Sequence, residues 1–294
     1  MTTYSEMSER PVAFFDSGLG GLPYYEWAAG RLPTERFVYL ADTANFPYGE
    51  KPVGELERIV VKNVGRLIAQ TNPKVVVVAC NTASVVALSA LRRSFPIPFV
   101  GVVPAIKPAA KFSKSRSIGL LATARTVTDK YTERLIRDFA MDCNIARIAD
   151  GALVRFVESR ILDAGVEEKR AAISASVRSL REAKVDAVVL GCTHFVYLAA
   201  EIEEALGQGV RVLDSREGVA EQLARVITRA RDAQSPKRAD SFYVTGFENL
   251  STGNQEESYR AFAVRFGMRY EGVIGTAGEP DSMPAAGDGS RVVP

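Results

Sequence analysis

Two of the three cysteines follow short apolar runs that resemble each other. Cys80 ends the run Lys74–Cys80, Cys192 ends the run Val185–Cys192, and the only histidine, His194, stands two residues later. Short runs rich in β-branched residues are typical of buried parallel strands, which would bring each thiol to the start of a helix. A helix N-terminus favours a thiolate. The pattern therefore predicts a two-sided acid/base site built from two thiols.

The composition is that of an ordinary globular protein. Of the 294 residues, 47% are hydrophobic and 24% are charged, and the formal net charge is only +2. Basic residues do not alternate with aromatic ones as they do on nucleic-acid-binding surfaces. The N-terminus lacks the apolar core of a signal peptide, and no later segment approaches the roughly 20 apolar residues of a membrane helix. We therefore expect a cytoplasmic protein with no nucleic-acid or membrane partner.

Strand-like runs alternate with helical ones along the chain, which favours stacked βαβ units and parallel sheets. The predicted strands lie near residues 12–16, 37–42, 74–80, 99–103, 117–123, 145–149, 185–192, 210–214 and 242–245. The predicted helices lie near 20–31, 53–70, 82–94, 104–113, 126–140, 151–182, 196–206, 216–232 and 255–266, and the longest of these stretches divides at Ala164-Gly165.

The residues that follow these strands are candidates for a site, because ligands of open α/β sheets bind outside the carboxyl ends of the strands. Asp16, Ser17 and Gly18 follow the first strand. They do not begin a dinucleotide fingerprint, because Pro23 takes the place of its third glycine. Polar groups or thiols follow five strands, at 16–18, 42–51, 80–82, 123–126 and 192–194.

Five sequence motifs resemble those of the glutamate racemase family, within the wider aspartate/glutamate racemase group. They lie at 15–21, at 41–43 with 46–51, at 79–84, at 103–108 and at 190–195. Their order along the chain is that of the family, and the resemblance extends to about residue 270. The family consists of cofactor-independent enzymes that interconvert L- and D-glutamate, and the D-isomer feeds peptidoglycan synthesis. The resemblance therefore implies a glutamate substrate and no PLP, metal or nucleotide.

The implied reaction accounts for the two thiols. Racemisation removes the α-proton from one face of a carbon and returns a proton to the other, so it needs a base and an acid on opposite sides. By the resemblance, Cys80 and Cys192 take these roles, Asp16 assists Cys80, and His194 assists Cys192. The resemblance assigns substrate binding to Asp16, Ser17, Tyr48, Gly49, Asn81, Thr82, Thr193 and His194.

The expected fold class is α/β, with two similar doubly wound domains, mainly parallel sheets and the active site in the interdomain cleft. Prolines at 96 and 98 mark the predicted crossing between domains, and glycines at 207 and 209 mark the return. The first domain, on the Cys80 side, is predicted to span residues 1–98 plus 210–274. The second, on the Cys192 side, spans 99–209. Residues 275–294 are predicted to be a disordered tail. The sequence is also compatible with a homodimer.

Other interpretations of these residues stay open. Buried cysteines usually behave as small apolar residues, and Cys143, outside every motif, is expected to do so. His194 could be a structural histidine or half of a Cys-x-His metal pair, although a structural zinc site needs four ligands. Asp16 and Ser17 could cap the helix predicted near residue 20. Thr123 and Thr126 could also be only helix caps, and we favour this role for Thr126.

Two other functions also fit the predicted fold. A small-molecule sensor with two domains around a cleft would close on a ligand without converting it, but it would not need two thiols facing one carbon. An aspartate racemase would use the same chemistry on a shorter side chain. Deuterium exchange at the α-carbon would separate enzyme from sensor, and relative rates on the two amino acids would separate the enzymes.

Overall fold

The computed structural model describes residues 8–227, 239–247 and 255–275. The strands are β1 (Val12–Asp16), β2 (Phe37–Ala41), β3 (Val75–Val78), β4 (Phe99–Gly101), β5 (Ser117–Ala122), β6 (Asn144–Ala149), β7 (Ala187–Gly191), β8 (Arg211–Leu213), β9 (Ser241–Val244) and β10 (Arg269–Val273). The α-helices are α1 (Leu22–Arg31), α2 (Val53–Thr71), α3 (Asn81–Ser94), α4 (Ile106–Phe112), α5 (Ala124–Thr128), α6 (Lys130–Phe139), α7 (Gly151–Arg160), α8 (Val166–Glu182), α9 (Ala199–Leu206), α10 (Arg216–Val226) and α11 (Gln255–Arg265). Short 3₁₀ helices span Thr43–Asn45, Tyr48–Glu50 and Thr193–Leu198.

The strands form two separate sheets in which every described pair is parallel. The first sheet has the order β10-β9-β2-β1-β3-β4, and the second has the order β6-β5-β7-β8. Within each sheet, the first four strands in chain order lie side by side as second, first, third and fourth. The predicted α/β class with two mainly parallel sheets is confirmed. Cys80 and Cys192 each follow the third strand of their own sheet.

The predicted boundaries between the two parts of the chain do not match the sheets. β4 pairs with β3 in the first sheet, although we placed residues from 99 onward in the second domain. β8 pairs with β7 in the second sheet, although we returned the chain to the first domain at 210. The prolines and glycines that suggested the boundaries mark the turns before these two strands, so each crossing lies one strand later.

Burial of both faces explains the apolar runs that identified the central strands. All four valines of β3 are buried, as expected for a parallel strand covered on two sides. On α2, the predicted apolar face buries Leu56, Val60, Val64 and Leu67.

The C-terminal part of the described chain contains one strand that the sequence did not predict. β10 was missed, and it pairs with β9 at the edge of the first sheet. The predicted tail, apart from Gly275, and the end of the helix predicted at 216–232 lie outside the described residues. None of the helices in the described ranges is long and apolar enough to cross a membrane.

Candidate active site

The carboxyl ends of the two sheets face a shared cavity of about 150 Å³. An apolar cavity of roughly this size can hold a ligand such as benzene, so the volume suits a small metabolite. The cavity is lined by Ser17, Pro47, Tyr48, Gly49, Glu50, Cys80, Asn81, Thr82, Thr123, Ala124, Gly151, Val154, Cys192 and His194. A larger cavity of about 490 Å³ lies between α8 and α9 but contains none of the predicted site residues.

On one side of the cavity, Cys80 stands between β3 and the first turn of α3. Its side chain is buried, and Sγ lies 3.8 Å from Ser17 Oγ. The Ser17 hydroxyl in turn lies 3.2 Å from Asp16 Oδ1, to which it donates a hydrogen bond. A path of polar groups therefore runs from the Cys80 thiol through Ser17 to a carboxyl group.

The electrostatics of Cys80 differ from our expectation. Burial raises the pKa of the Cys80 thiol, and the nearby Asp16 carboxylate raises it further. The N–H of Ala83, in the first turn of α3, acts in the opposite direction, as a helix N-terminus should, but more weakly. The helix N-terminus therefore acts on this thiol in the predicted direction, but burial and Asp16 outweigh it and favour the protonated form.

Asp16 lies behind the cavity wall and is fully buried. Burial raises its pKa from 3.8 to about 6, although the positive charge of His194 and the hydrogen bond from the Gly18 N–H oppose the rise. The Gly18 bond to Oδ1 is 2.8 Å long, and the Thr193 hydroxyl donates to Oδ2 at 3.1 Å. Asp16 can therefore take up or release a proton near neutral pH.

On the opposite side, Cys192 stands between β7 and the 3₁₀ helix Thr193–Leu198. Its Sγ lies 3.8 Å from His194 Nδ1, and His194 Nε2 lies 2.7 Å from Glu158 Oε2. Burial on its own would lower the pKa of His194, but the hydrogen bonds to Cys192 and Glu158 outweigh it and raise the pKa well above the usual value. The contacts with Cys192 and Glu158 therefore favour the protonated, cationic form of His194.

Glu158 is a site residue that the sequence prediction missed. It lies on α7, its side chain is only 5% exposed, and it joins both parts of the site. Its Oε2 also accepts a hydrogen bond from the Leu19 N–H at 3.1 Å. Glu158 follows buried Val154 by four residues, so it occupies the apolar face of an amphipathic helix. A glutamate in that position is the signal that could have revealed it.

The glycine-rich segment after β1 allows the close approach of these groups. A Cβ on Gly18 would overlap the Glu158 carboxylate, and one on Gly20 would lie 2.5 Å from His194 Nδ1. Only glycine leaves room for both charged side chains at this point.

Hydroxyl and amide groups line the remaining wall. Thr82 Oγ1 lies 3.0 Å from Thr123 Oγ1 and 3.4 Å from Thr126 Oγ1. Asn81 donates from Nδ2 to the Val102 carbonyl at 3.5 Å, whereas its Oδ1 is buried with no partner among the described residues. Buried acceptors are rarely left unpaired. The unpaired oxygen therefore suits a ligand that carries a donor, such as an ammonium group.

The Tyr48–Glu50 turn is fixed from behind by a buried carboxylate. The Tyr48 hydroxyl donates to Asp42, which also accepts hydrogen bonds from Asn63 at 2.9 Å and Thr245 at 2.6 Å. Gly49 lies against Thr123, since a Cβ on Gly49 would be 3.1 Å from the Thr123 Cβ. The Tyr48–Glu50 turn therefore packs directly against the residue that follows β5 of the second sheet.

Most of the predicted site residues meet at the cavity, and two do not. The lining includes Ser17, Tyr48, Gly49, Cys80, Asn81, Thr82, Cys192 and His194. Asp16 and Thr193 lie behind the cavity wall, where their side chains are hydrogen-bonded to each other. Contact of these two side chains with a substrate stays a prediction. Cys143 takes no part in the cavity.

The alternative structural roles are less well supported at these positions. α1 begins at Leu22 with no side chain capping it, so Asp16 and Ser17 do not cap that helix. The cap offered at Thr123 is confirmed, because its hydroxyl accepts the hydrogen bond from the Thr126 N–H at the start of α5, whereas the cap favoured at Thr126 is wrong. Within the described ranges, no three His, Cys, Asp or Glu side chains are arranged to hold a metal ion.

Two arginines from α5 and α7 contact the segment around Glu50 on the other side of the cavity. Arg125 donates to the Lys51 carbonyl at 3.3 Å, and Arg155 forms an ion pair with Glu50, which lines the cavity. Arg125 therefore contacts the chain directly after the Tyr48–Glu50 turn.

Known proteins are similar to this chain in sequence and in fold. The Asp/Glu/Hydantoin racemase family model matches residues 26–223. The chain is 41% identical over 232 residues to the glutamate racemase of Shewanella sp. (strain ANA-3), covering 79% of this chain and 84% of that protein. It is 45% identical over 220 residues to the glutamate racemase of Shewanella baltica, covering 75% and 80%.

A solved structure is similar over most of the fold. The Escherichia coli glutamate racemase, in complex with L-glutamate and the activator UDP-MurNAc-ala, matches with a TM-score of 0.79 and 35% identity. The match covers 90% of this chain and 98% of that one.

Proposed function

Because the chain belongs to the Asp/Glu/hydantoin racemase family, we propose that it is a glutamate racemase that works through two thiols and no cofactor. The observation that carries this proposal is the position of Cys80 and Cys192 on one cavity, each delivered by the third strand of a different sheet. Each thiol also has its own proton partner. Such an arrangement suits a reaction that removes a proton from one face of a carbon and supplies one to the other.

In this mechanism the two thiols begin in different protonation states. The His194 imidazolium stabilises a thiolate at Cys192, which takes the α-proton of the substrate. The Cys80 thiol donates its proton to the opposite face, so the Cα configuration is inverted. In the reverse direction the thiols exchange roles: Cys80 first passes its proton through Ser17 to Asp16, and His194 protonates Cys192. The Cys80 thiolate then takes the α-proton, and the Cys192 thiol donates to the opposite face.

Glutamate is the proposed substrate because the relatives and the solved structure described above are glutamate racemases. The unpaired Asn81 oxygen offers an acceptor for the substrate ammonium group. The hydroxyls of Thr82 and Thr123 and the amides of the Tyr48–Glu50 turn offer donors for the carboxylates. These contacts would hold the Cα–H bond between the thiols, and such orientation supplies much of the rate in enzymes.

The physiological role we propose is the supply of D-glutamate for peptidoglycan synthesis. It follows from the proposed substrate and from the activity named for the relatives. A cytoplasmic location and a homodimer stay predictions from the sequence.

Solvent deuterium tests the proposed reaction. The protein is incubated with L-glutamate in heavy water, and NMR follows the α-proton while polarimetry follows optical rotation. We expect loss of the α-proton signal together with loss of rotation. Binding without exchange would instead identify a sensor. Initial rates on L-aspartate and L-glutamate compare the two substrates, and a faster reaction with aspartate would contradict the substrate assignment.

A further inference from the structure

The Glu158 carboxyl group, whose side chain is only 5% exposed, receives hydrogen bonds from three parts of the chain. Oε2 receives the His194 Nε2–H at 2.7 Å and the Leu19 N–H at 3.1 Å. Oε1 receives the hydroxyl of Tyr259. A buried carboxylate keeps its charge only where such donors replace the water it has lost. The three donors therefore also fix the orientation of the carboxyl group.

Tyr259 reaches this carboxylate from α11, 101 residues further along the chain. The side chain is only 3% exposed. Its ring packs against those of Phe247 and Phe242, with centroid separations of 5.9 and 6.4 Å. Burial raises the pKa of the phenol well above its usual value, and the Glu158 charge adds to the rise. The hydroxyl is thus a permanent donor held in a fixed place.

We propose that Tyr259 is a positioning residue for the Cys192 side of the site: its hydroxyl fixes the Glu158 carboxylate so that Oε2 faces His194. Among the described residues, the Tyr259 hydroxyl is hydrogen-bonded to Glu158 alone. Without this donor, Oε1 is a buried acceptor with no partner, and the carboxylate either rotates or takes the proton of His194. The imidazolium beside Cys192 is then lost more easily. The effect on rate, but not the effect on His194, depends on the proposed racemase function.

Several titratable groups near His194 also influence its titration. They are Cys192 on its own segment, Glu158 on α7 and Asp16 at the end of β1. The phenols of Tyr39 and Tyr197 also lie near the two carboxylates. All of these groups remain in Tyr259→Phe, so a change in His194 reports on the missing hydroxyl.

The chain contains one histidine, so His194 can be titrated directly by ¹⁵N NMR in the untagged protein. Tyr259→Phe should shift the His194 titration to lower pH and reduce kcat about 10-fold, with KM changed less than about 2-fold. The matched control is Tyr25→Phe, which also removes a buried hydroxyl bound to a carboxylate, Asp240, at 2.9 Å. That control should lower the melting temperature without moving the His194 titration.

A double-mutant cycle adds an independent test of the route. In a Glu158→Gln background, Tyr259→Phe should produce no further shift of His194, because the hydroxyl acts through Glu158. An unchanged His194 titration in Tyr259→Phe, an equal shift in Tyr25→Phe, or an undiminished shift in the Glu158→Gln background would overturn the inference. If the titration shifts as expected but glutamate is not racemised, the proposed function fails and the positioning role of Tyr259 stands.

Discussion

The two sides of the cavity place the same thiol in opposite electrostatic surroundings. Cys80 faces Ser17 and, behind it, the carboxyl of Asp16, whereas Cys192 faces the imidazolium of His194. An anionic neighbour disfavours a thiolate and a cationic neighbour favours one. Similar strands in similar sheets therefore deliver two thiols whose charged neighbours are opposite in sign. The difference comes from the groups beside each thiol, Asp16 behind Ser17 on one side and His194 on the other.

Removal of either thiol should have the largest effect. Cys80→Ala and Cys192→Ala should each reduce racemisation by at least about 10³-fold, because an acid or base on one face is then missing. Cys143→Ala, which removes the thiol outside the cavity, is the matched control and should retain full activity. Rates are measured by polarimetry. Substantial activity in either of the first two variants would refute the two-thiol mechanism.

The proton partners should be distinguishable by pH. Asp16 has a pKa of about 6 and must be ionised to accept the Cys80 proton, so kcat/KM for the enantiomer whose α-proton Cys80 removes should fall as pH drops through about 6. Asp16→Asn should lower kcat/KM about 10²-fold and remove this dependence. His194→Asn should lower it similarly and move the dependence to higher pH, because the His194 charge no longer lowers the pKa of Asp16. A wild-type profile that is flat between pH 5 and pH 7 would argue against Asp16.

Asp16 should also reduce stability above its pKa. The folded state raises its pKa from 3.8 to about 6, so it binds the proton more tightly than the unfolded chain. The resulting stability, about 3 kcal/mol, is present in full below about pH 4 and is lost as pH rises through 6. Asp16→Asn, which cannot ionise, should therefore gain in melting temperature relative to wild type between pH 4 and pH 7. A constant difference would contradict the raised pKa.

The hydroxyls contributed by the two halves should have smaller and similar effects. Thr82→Val and Thr123→Val each remove one member of the hydroxyl pair that joins the two sides of the cavity. Each should raise KM about 10-fold and leave kcat nearly unchanged, as expected for loss of one substrate hydrogen bond. Steady-state kinetics measures both constants. A large fall in kcat instead would mean that these threonines act in the chemical step.

The positions of the thiols could be predicted because they depend on local patterns. The runs before Cys80 and Cys192 are short and β-branched, and parallel strands end at a common edge. β10 was missed because its sequence, Arg269–Val273, includes charged residues and Gly272, where the register shifts. Edge strands of this kind carry a weak apolar signal.

Long-range contacts explain what else the sequence did not reveal. Glu158 lies 36 residues from His194, and nothing local connects them. The raised pKa of Cys80 depends on how deeply the thiol is buried and on its distance from Asp16, neither of which is encoded next to the cysteine. The sheets to which β4 and β8 belong are known only from their strand pairing. Turn residues indicate that a turn occurs, but they do not indicate which sheet the next strand joins.

The central claim, that Cys80 and Cys192 face opposite sides of one α-carbon, is tested most directly by deuterium exchange in the single variants. Each variant is incubated separately with L- and D-glutamate in heavy water, and ¹H NMR follows the α-proton. The remaining thiol can still remove and return a proton on its own face, so each variant should exchange one enantiomer without inverting it. The two variants should select opposite enantiomers. Exchange of the same enantiomer by both variants would contradict the account.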